Sequence, residues 1–173
     1  MTTEPLLDRQ RLLDAFRLLA AKLARRGVVG EVHVFGGAAM VLVFDERAAT
    51  RDVDAIFEPD GPMLDAAAEV ARELELPRSW LNNQASTYVS GRAGRGTPAF
   101  DHPNLRVLTT PAEHLLAMKV RAARPARDAD DIRLLLDHLG IDAVDDVITV
   151  AERYFPDDPL SDRSRMLIED LLW

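Results

Sequence analysis

The chain places its apolar residues at helical spacing near its start and again throughout its last third. Between residues 5 and 26 the apolar positions are Leu6, Leu12, Leu13, Phe16, Leu19 and Leu23. This spacing predicts an amphipathic helix, for which Gly27 supplies the end. From Pro111 onward the same spacing predicts four more helices, over residues 111–123, 127–139, 142–155 and 160–172. The two ends of the chain are therefore predicted to be helical.

The middle of the chain follows a different pattern, in which apolar and polar residues alternate. Strands are predicted for EVHVF (31–35), DVDAIF (52–57) and NLRVLTT (104–110). The run AAMVLVF, which follows Gly36 and Gly37, could start a helix, and residues 62–75 form a clear one. This order of elements predicts an α+β fold with a short mixed sheet flanked by helices and a helical C-terminal portion. We expect a core over residues 1–110 that packs as one unit with a helical portion over residues 111–173.

Composition is typical of a folded globular protein, with 47% apolar and 29% charged residues in a chain of 173. No apolar stretch reaches the roughly 18 to 20 residues of a membrane span, and the start lacks a basic, apolar signal. We therefore expect no membrane partner and a cytoplasmic location. The absence of cysteine excludes disulfides and thiolate zinc sites.

Charge is distributed unevenly along the chain. The net charge of −8 argues against a protein that coats nucleic acid non-specifically. Residues 86–127 are nevertheless basic, with Arg92, Arg95, Arg106, Lys119, Arg121, Arg124 and Arg127 against Asp101 and Glu113. Four of these are candidate RNA-binding residues, namely Arg92, Arg95, Arg121 and Arg124. For Arg92 and Arg95, in GRAGRG, a glycine-rich hairpin tip is an equally good interpretation.

Two aspartates stand one residue apart in the predicted strand DVDAIF. Because successive side chains of a strand point to opposite faces, Asp52 and Asp54 share one face while Val53, Ala55 and Phe57 take the other. Such a carboxylate pair suits Mg²⁺, which prefers oxygen ligands and keeps waters and phosphates. A strand end whose acids simply face water is the alternative.

A glycine pair lies between the first predicted strand and the helix that could follow it. At Gly36 and Gly37 the backbone can approach a ligand closely, and a helix N-terminus presents free N–H groups to phosphate. A tight strand-to-helix turn without a ligand is the simpler interpretation. The segment is neither a P-loop nor a dinucleotide-binding fingerprint, because it lacks the lysine of the first and the third glycine of the second.

The segment AEHLLAMKVRAARPARDADDI places a lysine and two acids in the helical portion. Lys119 lies on an amphipathic helix, where a lysine is usually solvated but could also supply a point charge to a triphosphate. Asp128 and Asp131 lie near the start of the next helix, where acids stabilise the N-terminus. A second role is compatible with that placement.

Taken together, FGGAAM, RAATRDVDAIF and HLLAMKVRAARPARDADDI resemble the minimal nucleotidyltransferases of the polymerase-β superfamily. More narrowly, they are similar to the AbiEii/MenT group of toxin–antitoxin nucleotidyltransferases and their short relatives. The resemblance implies an NTP substrate, a Mg²⁺ cofactor, the tRNA 3′ end as acceptor, and a toxin with a cognate antitoxin protein.

The resemblance also implies a role for each matching residue. Gly36 and Gly37 would cradle the triphosphate, lined by Arg47 and Thr50. Asp52 and Asp54 would hold Mg²⁺ and help to activate the acceptor hydroxyl. Lys119 would neutralise triphosphate charge, and Asp128 would orient Lys119 or the nucleotide.

This chain departs from the family pattern at two places. The second glycine is often serine in the wider superfamily, and NLRVLTT contains no third carboxylate. Two other functions also fit the pattern: nucleotidylation of a small, antibiotic-like molecule, and a non-catalytic, antitoxin-like binding module.

No metal-ligand spacing is found among the four histidines, His33, His102, His114 and His138, so His33 is interpreted as a structural histidine. Trp80 and Trp173 are predicted to be core anchors.

Overall fold

In this computed structural model the described residues are 4–84 and 96–173, and they form an α+β fold. The helices of these residues are α1 Arg9–Arg25, α2 Gly36–Val43, α3 Asp60–Glu73, α4 Ala112–Ala122, α5 Pro125–Leu139, α6 Val144–Tyr154 and α7 Asp162–Leu172. Their strands are β1 Leu7–Asp8, β2 Gly30–Phe35, β3 Ala49–Thr50, β4 Val53–Glu58, β5 Leu81–Asn82, β6 Thr97–His102 and β7 Leu105–Thr109. The predicted fold class is confirmed.

The first helix begins later than its apolar pattern predicts. Leu7 and Asp8 form β1, which pairs antiparallel with β3. The Asp8 carboxylate then accepts a hydrogen bond from the Arg11 backbone N–H at 2.8 Å, as an N-cap does. Gly27 follows the helix in the left-handed region, with φ at 64°. The predicted helix is therefore confirmed, with its start moved to the capping aspartate.

The main sheet is mixed and has the strand order β5-β4-β2-β7-β6 in the described part of the chain. β2 lies at its centre, antiparallel to β4 and parallel to β7. One face of the sheet carries buried apolar side chains, those of Val32, Val34, Ala55, Phe57 and Val107. All three predicted strands are confirmed, and their alternation determines which side chains occupy this face.

The opposite face of the sheet, called here the second face, carries most of the polar side chains. Register places Glu31 opposite Glu58, His33 opposite Ile56, and Phe35 opposite Asp54 across β2 and β4. On the β7 side, Glu31 lies opposite Arg106 and His33 opposite Leu108. Phe35 and Leu108 are buried, whereas His33, Ile56 and Arg106 are partly or largely exposed.

Strand β6 is an element that the alternation pattern does not predict. It pairs antiparallel with β7 at the edge of the sheet and is irregular between Pro98 and Phe100. A proline has no N–H to donate to a strand ladder, and it is tolerated at an edge or at a bulge. The strand therefore depends on its partner β7 rather than on its own local sequence.

The described residues divide into two compact units, one of residues 4–84 and 96–109 and one of residues 110–173. The first unit contains the sheet and α1 to α3, and it buries Trp80, whose indole N–H donates to the Ala67 carbonyl at 2.9 Å. In the second unit, α4 packs against α5, α6 and α7 around Leu116, Ile132 and Ile168. None of the helices in the described ranges combines the length and the apolar character that crossing a membrane requires.

Candidate active site

Asp52 and Asp54 lie where strand β4 begins. Asp52 immediately precedes the strand and Asp54 is its second residue, opposite Phe35 of β2. Both side chains are partly exposed, whereas Val53 and Ala55 are fully buried between and beside them. Asp54 lies on the second face of the sheet, whereas Asp52 precedes the paired strand, so the common face of the two carboxylates stays a prediction.

The glycine turn brings the start of α2 next to Asp54. Gly36 follows β2 directly and has φ of 64°, a conformation that favours glycine strongly. A Cβ atom added at Gly36 would lie 3.5 Å from Oδ2 of Asp54. The N-cap residue of α2 is Phe35, whose side chain cannot accept a hydrogen bond from the first N–H groups of the helix. A carboxylate and a helix N-terminus therefore lie side by side.

Thr50 and Arg47 complete this turn from the other side. A Cβ atom at Gly37 would lie 2.8 Å from Oγ1 of Thr50 and 3.4 Å from a terminal guanidinium nitrogen of Arg47. The Thr50 hydroxyl donates to the backbone carbonyl of Asp52 at 3.2 Å, and Arg47 Nε donates to the Ala49 carbonyl at 3.2 Å. The chain has glycine at 37 because the Thr50 side chain fills the space that a serine would need.

We predict that Gly37→Ala destabilises the first unit and displaces Asp52 through Thr50. Overpacking of this kind costs about 1 to 3 kcal/mol in the free energy of unfolding. The double variant Gly37→Ala/Thr50→Ala removes the hydroxyl that causes the clash, so it should be more stable than Gly37→Ala with Thr50 intact. Urea unfolding followed by circular dichroism measures both. Equal stabilities of these two variants would contradict the packing argument.

The residues at this turn fit a Mg²⁺ ion. Asp52 and Asp54 are partly exposed residues with hard oxygen donors, and Mg²⁺ commonly uses one or two carboxylates together with water and substrate phosphates. Within residues 4–84 and 96–173, no group of three or more His, Asp or Glu residues is placed to hold a metal. Asp52 and Asp54 would therefore be its protein ligands, with the remaining positions left to water and phosphate oxygens.

Lys119 lies in the second unit, in a buried cluster of charges. Its ammonium lies 3.0 Å from Oδ1 of Asp128 and 2.9 Å from Oδ2 of Asp131. Asp128 also accepts from Nε of Arg124 at 2.8 Å. Both aspartates are about 2% exposed and Lys119 is 7% exposed, so the interpretation of Lys119 as a solvated lysine is wrong.

This cluster, made of Lys119, Arg124, Asp128 and Asp131, joins α4 to α5. Two cations and two carboxylates balance one another, and each aspartate contacts the lysine. The contact between Lys119 and Asp128 that the resemblance implies is present. Asp131, which sequence reasoning places only at a helix start, is an equal partner, and its burial could not be read from the local pattern. Action of Lys119 on a triphosphate stays a prediction.

The candidate RNA-binding arginines are only partly described. Arg92 and Arg95 lie outside the described residues. Arg121 forms an ion pair with Asp158, and its guanidinium carbon lies 3.8 Å from the centre of the Phe155 ring. Arg124 is held by Asp128. These intramolecular contacts would compete with phosphate, so RNA contact by Arg121 and Arg124 stays a prediction.

His114 is a buried group of the second unit whose surroundings the local sequence does not reveal. Its ring stacks on Tyr154, with centres 4.7 Å apart and planes 3° from parallel, and Phe155 lies at 6.0 Å. Burial lowers the pKa of His114 to about 4. The imidazole is therefore neutral in the folded protein at neutral pH.

We predict that acid destabilises the second unit through His114. In the unfolded chain His114 binds a proton as the pH falls below its ordinary pKa of 6.5. In the folded chain the buried imidazole stays neutral until the pH reaches its lowered pKa of about 4. Stability is therefore lost as the pH falls through this window, by up to about 3 kcal/mol. His114→Phe keeps an aromatic ring without the titration, so its unfolding midpoint in urea should change less between pH 7 and pH 4.5. An identical pH dependence in the two proteins would refute this.

Comparisons with protein-family models, with curated proteins and with solved structures found no match to this chain. A functional assignment therefore depends on the residues, on their geometry within each unit, and on the resemblance of the three segments described above.

Proposed function

We propose that this protein is a Mg²⁺-dependent nucleotidyltransferase that transfers a nucleoside monophosphate from an NTP to an acceptor hydroxyl. One observation carries the proposal: the Gly36–Gly37 turn and the start of α2 lie beside the Asp54 carboxylate, with Thr50 against the turn. A helix N-terminus attracts phosphate, and a carboxylate beside it can hold the metal that accompanies phosphate. Arg47, which also lies against Gly37, adds a cation.

The reaction is a substitution at the α-phosphorus of the nucleotide. The acceptor oxygen loses its proton and forms a bond to this phosphorus, and the bond between the α-phosphorus and the bridging oxygen breaks. Pyrophosphate leaves with the electron pair. Bound to Asp52 and Asp54, Mg²⁺ would supply positive charge against the phosphate oxygens. The protein contributes by holding the nucleotide in place and by neutralising charge.

Lys119 and Asp128 have a supporting role in this proposal. Lys119 would neutralise charge on the triphosphate, and Asp128 would hold its ammonium in place through the 3.0 Å contact. The support is the contact itself together with the resemblance of the segment HLLAMKVRAARPARDADDI.

For the acceptor we propose the 3′ end of tRNA, and for the biological role a toxin that blocks translation and is controlled by an antitoxin protein. The resemblance of the three segments supports both, and the basic residues between 86 and 127 suit an RNA acceptor. A small antibiotic-like hydroxyl compound is the competing acceptor. Transfer to RNA should weaken steeply with salt, because phosphate contacts release counterions, whereas transfer to a small neutral molecule should not.

The test incubates purified protein with Mg²⁺, each of the four labelled NTPs in turn, and either total tRNA or a set of hydroxylated small molecules. We expect label on tRNA with at least one NTP, and loss of that label when salt is raised. Label on the small molecules alone would show that the acceptor is a small hydroxyl compound and not tRNA. No label with any pair, together with no NTP binding by calorimetry, would refute the enzyme and favour a non-catalytic binding module.

A further inference from the structure

His33 occupies the middle of the second face of the sheet, close to the proposed reaction centre. It lies on β2, two residues before Phe35, and Phe35 is the cross-strand partner of Asp54. Its own partner on β4 is Ile56. His33 and Asp54 are therefore diagonal neighbours on one face, a relation that places Cβ atoms about 7 to 8 Å apart. The side chain of His33 is 42% exposed, so a substrate can reach it.

Glu31 orients the His33 ring and determines which ring nitrogen donates to it. Nε2 of His33 lies 2.7 Å from Oε1 of Glu31, and the other carboxylate oxygen of Glu31 lies 3.3 Å from Nε of Arg106. The hydrogen bond to His33, with a further contribution from Arg106, lowers the pKa of Glu31, so this carboxylate stays ionised and accepts. Nε2 is then the donor of this hydrogen bond, and in the neutral imidazole it is Nδ1 that carries the lone pair.

The proposed reaction needs a group that takes the proton of the acceptor hydroxyl. Asp52 and Asp54 are assigned to the metal, and the described residues place no third carboxylate in a group with them. Along the second face the next side chain from Asp54 that can accept a proton is His33, whereas Glu31 and Glu58 lie one pair of residues further away. A carboxylate that orients an imidazole, whose other nitrogen is free, is the arrangement of a general base.

We propose that His33 is the general base of the nucleotidyl transfer and that Glu31 is its positioning residue, an inference that rests on the function proposed above. Nδ1 of His33 takes the proton from the acceptor hydroxyl while the acceptor oxygen bonds to the α-phosphorus. The bond from that phosphorus to the bridging oxygen breaks, and pyrophosphate departs with the electron pair. The imidazolium formed is stabilised by Glu31, and it returns its proton to water before the next turnover.

The charged groups around His33 are consistent with this assignment. Ile56 and Leu108, its direct neighbours on β4 and β7, carry no charge. The diagonal positions on β4 are Asp54 and Glu58, and those on β7 include Arg106, which contacts Glu31. The Glu31 carboxylate, hydrogen-bonded to Nε2, favours the imidazolium that forms during the reaction.

The test measures kcat and KM of the purified protein against pH, using the NTP and acceptor that the wild type accepts. We expect His33→Gln to lower kcat by about 10²-fold or more, with the KM for NTP unchanged within a factor of two, because the nucleotide is held elsewhere. Glu31→Gln should lower kcat by a smaller factor, about 10-fold, because it only orients the ring.

Two further variants separate chemistry from structure. His33→Ala should regain activity when free imidazole is added, which a purely structural role would not allow. His138→Gln, an exposed histidine on α5, should match the wild type in every measurement. A His33→Gln enzyme as active as the wild type across the pH range would overturn the role of His33 and leave the proposed function standing. A wild type without activity on any NTP and acceptor would overturn the proposed function itself.

Discussion

Asp54→Asn is expected to lower nucleotide transfer by at least about 10³-fold, because losing a ligand of the metal removes several kcal/mol of charge stabilisation in the transition state. Asparagine has nearly the same shape, so the fold of the first unit should not change. Asp54 is partly exposed at the start of β4, with no buried packing role that asparagine would disrupt. The measurement is the initial rate of label transfer from NTP at saturating Mg²⁺.

The same strand provides a matched control for this variant. Glu58 ends β4 on the same face as Asp54, and it is exposed. Glu58→Gln therefore makes the same chemical change on the same strand, at a distance from the glycine turn. We expect it to transfer label at the wild-type rate, while Asp52→Asn behaves like Asp54→Asn. Equal rates for Asp54→Asn and Glu58→Gln would contradict the proposal that Asp54 is a ligand of Mg²⁺.

Lys119→Met is expected to lower the free energy of unfolding of the second unit by about 3 to 5 kcal/mol, because it removes the ammonium that contacts two buried carboxylates. Asp128 keeps Arg124, but Asp131 loses the ammonium at 2.9 Å. Hydrogen exchange of α4 and α5 reports this loss within the unit itself. Little change in their protection would show that the cluster does not hold the two helices together.

Two further variants test whether the buried charge causes this loss of stability. Adding Asp131→Asn to Lys119→Met removes the uncompensated charge, so the two changes together should cost roughly 1 to 3 kcal/mol less than their sum. Lys22 of α1 is a matched lysine, since it is also buried and contacts two glutamates of α3, Glu69 and Glu73. Those glutamates are 30% and 49% exposed, so water can solvate them, and Lys22→Met should destabilise less.

The parts of the fold that local pattern decides could be predicted from the sequence. Alternation in β2 and β4 determines the buried face, and it correctly placed Asp54 on the other face. Strand β6 was missed because Pro98 and its polar neighbours form a strand only against β7. Trp80 is the core anchor that was predicted, whereas the prediction for Trp173 is wrong, because its side chain is fully exposed.

The parts of the candidate site that depend on packing between elements could not be predicted. Nothing local to Lys119 shows that α5 brings Asp128 and Asp131 to its ammonium, because its own helix is merely amphipathic. The clash that excludes a side chain at Gly37 arises from Thr50, which is held by β3. The interpretation of His33 as a structural histidine used the lack of metal-ligand spacing and its place in a strand, and neither can show that its side chain is 42% exposed on the second face.

We propose that the chain transfers a nucleotide rather than a phosphate, and the fate of two labels distinguishes the two reactions. Purified protein is incubated with Mg²⁺, tRNA and one NTP labelled either at the α- or at the γ-phosphate. We expect the α-label to appear on the tRNA 3′ end while an equal amount of the γ-label leaves as pyrophosphate. A γ-label on the acceptor, or an acceptor without either label under every NTP, would contradict it.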